Sequence, residues 1–238
     1  MLKRNFLLSI TAVVFSLYSC SESERTTEIG VEKNNSSSIE NQTNTAKSER
    51  TKTILFFGNS LTAGYGLEPD QAFPALIQNR IDSLNLPYKV INAGVSGETS
   101  AGGKSRINWL LKQPVDVFVL ELGANDGLRG IDPDETFKNL QSIIRSVREK
   151  NPDAQILLAG MQMPPSMGQK YTKEFSEVFS ALAKEESVAL IPFLLEGVAG
   201  NPEFNQKDGI HPTEKGQKIL ANNVWAVMED IVLEPESI

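Results

Sequence analysis

Residues 53–61 read Thr-Ile-Leu-Phe-Phe-Gly-Asn-Ser-Leu. A short apolar run enters a glycine, and the polar pair Asn59-Ser60 follows at once. Apolar character without alternation marks a strand buried on both faces, as in a parallel sheet. The pattern recurs at 88–92, 115–122, 154–161 and 188–194. In the third of these runs only Asp116 and Glu121 interrupt the apolar character. Helical spacing separates the runs: Phe73, Leu76, Ile77, Ile81 and Leu84 repeat over 72–84, and further helices are expected over 105–112, 133–149, 171–186 and 212–232. Asp132 can cap the helix at 133–149, with Pro133 in its first turn. Gly102 and Gly103 leave the start of the 105–112 helix open. Strands alternating with helices predict an α/β fold, a three-layer doubly wound sandwich around a parallel sheet of about five strands.

Sheets of this kind bind ligands beyond the carboxyl ends of their strands. Four polar, glycine-rich segments follow the predicted strands: Gly58-Asn59-Ser60-Leu61, Asn92 to Glu98, Gly123-Ala124-Asn125-Asp126-Gly127, and the loop ending in Asp208-Gly209-Ile210-His211-Pro212. In isolation each is ordinary turn or cap chemistry. Their convergence on one sheet edge points to a site instead.

Serine needs a base to become a nucleophile, and imidazole suits that task near neutral pH. His211 is the single histidine of the chain, so any catalytic imidazole must be this one. Asp208, three residues earlier, can reach the same ring and fix its tautomer. Ser60 is then the nucleophile, His211 the base and Asp208 the orienting acid. The Ser60 N–H, the Gly97 N–H and the Asn125 amide are candidate donors to the developing oxyanion, with the bare Cα of Gly97 permitting close approach. Asp126 is expected to tie loops together. Met163, in the loop after the fourth strand, is a candidate acyl-binding residue, whereas Met161 fits core packing.

These four blocks, in this order, resemble those of the SGNH (GDSL) hydrolases, and the likeness extends over residues 53–232. The arylesterase, lysophospholipase and acyl-CoA thioesterase branch is the most similar in look. The resemblance implies a flavodoxin-like SGNH fold, a triad of Ser60, Asp208 and His211, and an oxyanion hole of Ser60, Gly97 and Asn125. Asn59 stands where the family's name-giving block has Asp; it keeps an acceptor oxygen and adds a donor. Ser60 does not lie in a G-x-S-x-G elbow, which disfavours the α/β-hydrolase fold.

The 238 residues suit one globular domain plus an extension, and the net charge of −7 argues against a nucleic-acid partner. Cys20 is the single cysteine, which excludes an internal disulfide and a Cys–His zinc site of the usual four-ligand kind. No metal and no cofactor is expected. Lys3 and Arg4 precede an apolar run from Phe6 to Leu17, the layout of an export signal and too short for an ordinary spanning helix. Leu17-Tyr18-Ser19-Cys20 resembles the lipobox of bacterial lipoproteins, in which the cysteine is lipidated. Residues 1–19 are expected to be the signal, 20–52 a polar tether and 53–238 the catalytic domain, anchored by Cys20 to a bacterial outer membrane. A plain secretory signal cut near Ser19 is the alternative.

The expected activity is hydrolysis of aryl or short-to-medium acyl esters, lysophospholipids or acyl thioesters through an acyl-enzyme. Two other readings stand beside it: an O-deacetylase of carbohydrate or cell wall, marked by a shallow polar cleft, and a surface lipoprotein that only binds.

Overall fold

The computed structural model describes residues 50–233. The signal segment, Cys20 and the tether up to residue 49 lie outside the described residues. A five-stranded parallel sheet forms the centre, built from β1 (Lys52–Gly58), β2 (Tyr88–Asn92), β3 (Val117–Glu121), β4 (Gln155–Ala159) and β5 (Ala189–Ile191), in the order β2-β1-β3-β4-β5. Strands of three to seven residues suffice because both faces are covered.

The helices are α1 (Ser60–Ala63), α2 (Phe73–Ser83), α3 (Ser100–Leu110), α4 (Ala124–Leu128), α5 (Pro133–Lys150), α6 (Gln169–Glu185) and α7 (Glu214–Leu233). Helix α2 packs on α7, and α5 packs on both α3 and α6, giving the two outer layers of the sandwich. Phe56, Phe57, Phe118, Phe175 and Phe179 are buried at its core. Cutting one such side chain to alanine costs about 3–5 kcal/mol.

Two boundaries differ from the sequence reading. Residues before 53 already belong to the fold: Lys52 pairs with Tyr88, and the Arg50 guanidinium donates to Asp116 at 3.0 Å. Helix α3 starts at Ser100 rather than 105, because the Thr99 side chain caps it by accepting from the Gly102 N–H at 3.3 Å. Gly103 sits inside this helix for a packing reason: a Cβ there would lie 2.4 Å from Leu122 Cδ1 and 3.0 Å from Phe57 Cε1. Glycine here brings the helix close to the sheet.

The chain runs from β1 out to β2, then returns across β1 to β3. The carboxyl ends of β1 and β3 therefore flank the crevice where the winding reverses, the place such sheets reserve for ligands.

Candidate active site

Ser60 opens α1 directly beyond β1, with Asn59 as the cap. The Asn59 Oδ1 accepts the Leu61 N–H at 3.0 Å, which satisfies an orphan donor of the first turn. From the other side of the crevice, the Ser60 Oγ meets His211 Nε2 at 2.9 Å. His211 Nδ1 lies 2.7 Å from Asp208 Oδ2. An ionised carboxylate only accepts, so Nδ1 carries the hydrogen and Nε2 is left as the acceptor facing Ser60. Ser60, His211 and Asp208 thus form one continuous relay, with a serine hydroxyl poised to lose its proton to imidazole.

Asp208 is held by its own loop. Its Oδ1 accepts the N–H groups of Ile210 and His211, each at 3.0 Å. The hydrogen bond from the His211 ring, followed by these two backbone donors, holds the carboxyl down at about 2. The loop is clamped onto the rest of the site by Gln206, whose N–H donates to the His211 carbonyl at 2.7 Å and whose side chain donates to the Tyr65 carbonyl at 2.7 Å. The Tyr65 ring lies against the imidazole with centroids 4.5 Å apart.

Gly97 and Asn125 line the same cavity as Ser60. Asn125 is on α4, a short helix that the sequence reading treated as loop. One amide hydrogen of Asn125 goes to the Glu98 carbonyl at 3.0 Å, which aims the side chain and leaves a second hydrogen for a ligand. Among the described residues, the N–H groups of Ser60 and Gly97 meet no acceptor. Gly97 has φ +80°, and apart from its two chain neighbours no residue comes within 4 Å of where its Cβ would sit. Its glycine therefore answers a need of backbone conformation within the protein, rather than the close packing of another protein group. The Arg129 guanidinium donates to the Gly97 carbonyl at 3.1 Å, and Arg106 braces the same loop through Glu98 and the Ala93 carbonyl. Together these bonds brace the loop on both sides of the Gly97 N–H, through the Ala93 and Gly97 carbonyls and the Glu98 side chain. Asp126, expected to tie loops together, instead joins two helices: from within α4 it accepts the Ser100 N–H at the start of α3 at 2.8 Å.

The relay opens into a cavity of about 550 Å³. Leu61, Met161, Met163, Pro164, Phe193 and Leu195 give it a largely apolar wall. Met163 and Met161 are both buried and both line it, so Met161 serves core and cavity at once. Among the described residues, no group of three or more His, Cys, Asp or Glu is placed to hold a metal ion.

One residue beneath the site passes as a mere interruption in the sequence. Glu121, the last residue of β3, is fully buried below the turn that carries Ser60. Its Oε1 accepts from Asn59 Nδ2 at 2.7 Å. Its Oε2 accepts the Asn59 N–H at 3.1 Å, the Thr62 N–H at 3.2 Å and the Thr62 hydroxyl at 2.7 Å. Burial pushes the carboxyl up to about 7, against the downward pull of these donors. The one visible signal was a charge inside an otherwise buried strand, which is rare unless the charge is partnered.

A doubly wound sheet with a serine–histidine–aspartate relay at its switch point defines a class, the serine hydrolases. Residues 56–219 match the model of the GDSL-like Lipase/Acylhydrolase family. Esterase TesA of Pseudomonas aeruginosa is 42% identical over 182 residues, covering 76% of this chain and 90% of the relative. Thioesterase 1/protease 1/lysophospholipase L1 of Escherichia coli is 40% identical over 189 residues, covering 79% and 88%. The crystal structure of TesA superposes with a TM-score of 0.73 at 42% identity, covering 76% of this chain and 99% of that one. The chain belongs to the GDSL-like lipase/acylhydrolase family, the GDSL/SGNH hydrolases, and is a serine hydrolase that acts on ester bonds.

Proposed function

We propose that Ser60 is the nucleophile, His211 the general base and Asp208 the orienting carboxylate in hydrolysis of esters with an apolar acyl chain. His211 Nε2 takes the Ser60 proton as Oγ attacks the carbonyl carbon. The carbonyl electron pair moves onto oxygen, which faces the N–H groups of Ser60 and Gly97 and the second amide hydrogen of Asn125. Collapse expels the alcohol with the proton from the imidazolium and leaves the acyl group on Ser60. Water then repeats the sequence and releases the acid.

The observation that carries the substrate class is the apolar cavity beside Ser60, with Met161, Met163, Phe193 and Leu195 on its wall. An acyl chain seated there leaves the alcohol moiety near the exposed Tyr65 and Leu128. A polysaccharide deacetylase needs a shallow polar cleft instead, and this wall suits it poorly. The names of the relatives, esterase and thioesterase/lysophospholipase, fit an acyl pocket that tolerates several leaving groups. A series of p-nitrophenyl esters from acetate upward tests the reading. Each added methylene should raise kcat/KM by about fourfold until the cavity is filled, from about 0.8 kcal/mol per buried CH₂. A maximum at acetate would favour deacetylation.

The reading extends to location. Cys20, following Leu17-Tyr18-Ser19, would carry the lipid that anchors the enzyme to a bacterial outer membrane, and the polar stretch to residue 49 would be its tether. Metabolic palmitate labelling lost in Cys20→Ser is the expected result; equal labelling of both proteins would contradict it.

A further inference from the structure

We propose that Glu121 is a positioning residue that sets the Ser60 turn through Asn59 and Thr62, and that Asn59 is matched to it as donor to acceptor. The inference rests on Ser60 being the nucleophile. Four donors converge on this one side chain: two from Asn59 and two from Thr62, the residues on either side of Ser60-Leu61. No other carboxylate among the described residues is both fully buried and bonded to the nucleophile's immediate neighbour.

The arrangement has a direction. Asn59 gives its Nδ2 hydrogen downward to Glu121 and keeps Oδ1 for the Leu61 N–H. That fixes which way the Asn59 amide faces, and with it the first turn of α1 that presents the Ser60 Oγ to His211. A carboxylate at 121 accepts at both oxygens without internal conflict. An amide there would have to turn a donor either onto Asn59 Nδ2 or onto the Asn59 and Thr62 N–H groups.

The polarity of the 59–121 bond can be reversed without changing shape or net charge. In Asn59→Asp with Glu121→Gln, the amide of residue 121 donates upward to the carboxylate of residue 59. Its carbonyl oxygen still accepts the three remaining donors, and the carboxylate still caps the Leu61 N–H. In Asn59→Asp alone, Glu121 can keep its proton and donate it to the new carboxylate, so that variant does not break the pairing. The mechanism therefore predicts loss in Glu121→Gln and recovery in the pair.

The test uses the full domain with its tether, kcat and KM on a p-nitrophenyl ester, and thermal melts of every variant. Glu121→Gln should lower kcat by about 10- to 100-fold, the effect of one or two unsatisfied buried donors, with KM within about twofold. The double variant should regain at least about tenfold over Glu121→Gln, a recovery of one buried pairing. A role in folding alone would lower the melting temperature and the active fraction, and would leave kcat per labelled serine unchanged. Full kcat in Glu121→Gln overturns the proposal. A double variant that melts cooperatively yet is no better than Glu121→Gln also overturns it. Should the 121 variants not fold, Thr62→Val decides. It removes one donor and keeps the shape, and unchanged kcat per labelled serine would contradict the positioning role. Wild type against Ser60→Ala tests the nucleophile separately, so failure of either reading is recognisable on its own.

Discussion

The two arms of the site are built in opposite ways. The nucleophile arm, residues 58–62, is buried and held from below by a side chain on a neighbouring strand, 59 to 62 positions away in sequence. The acid–base arm, residues 205–213, is a half-exposed loop whose carboxylate is held from within the loop: Asp208 bonds residues two and three positions on. Their carboxyl groups reflect this. Burial pushes Glu121 up to about 7, while the His211 ring and two backbone donors hold Asp208 at about 2. A buried carboxylate organises a turn at a cost to its charged form; an exposed one stays ionised and can stabilise an imidazolium. Damage to the loop arm should therefore appear in the chemistry alone, and damage to the buried arm in chemistry and stability together.

The largest separation should come from His211→Ala. Loss of the only imidazole should lower kcat by about 10⁴–10⁶-fold, with the melting temperature within a few degrees of wild type. Steady-state kinetics and a thermal melt on one preparation check both. Asp208→Asn should follow at about 10³–10⁴-fold, because the amide favours the wrong imidazole tautomer while the loop keeps its shape. A large loss of stability in either variant would mean that the loop is more than a local unit.

Asn125→Ala should lower kcat by about 10²–10³-fold with little change in KM, the usual cost of one oxyanion donor. A loss expressed only in KM would place Asn125 in ground-state binding instead.

The smallest effect concerns pH and stability, and its sign differs between the arms. Glu121 titrates higher in the fold than its ordinary 4.5, so its contribution is complete below that value and is lost as pH rises through about 7. The stability of wild type relative to Glu121→Gln should fall by about 3 kcal/mol between pH 4.5 and 8, read from urea midpoints. Asp208 titrates below its ordinary 3.8, so its contribution is present above that value and is lost as pH falls through about 2. The ionisation of Asp208 itself therefore adds no slope to stability between pH 5 and 8.

The same contrast explains what was legible in the sequence. Asp208 and His211 stand three residues apart, so their meeting follows from local geometry. Ser60 is distant from both, yet the strand-then-glycine pattern set it at a carboxyl edge where such residues gather. Glu121 was visible only as a charge inside an apolar strand, because its partners lie across the sheet and no local spacing connects them. Likewise Gly102 and Gly103 read as helix breakers, whereas Gly103 is needed inside α3 for its approach to Leu122 and Phe57. Arg106 and Arg129, which fix the Gly97 loop, carried no periodic signal at all.

In the proposed mechanism Ser60, activated by His211, attacks the substrate. Incubation with a fluorophosphonate, followed by peptide mass spectrometry, tests it most directly. Wild type should carry one adduct, on Ser60, with complete loss of esterase activity, and His211→Ala should be labelled far more slowly. An adduct on any other residue, or full inactivation with Ser60 unmodified, would contradict the account.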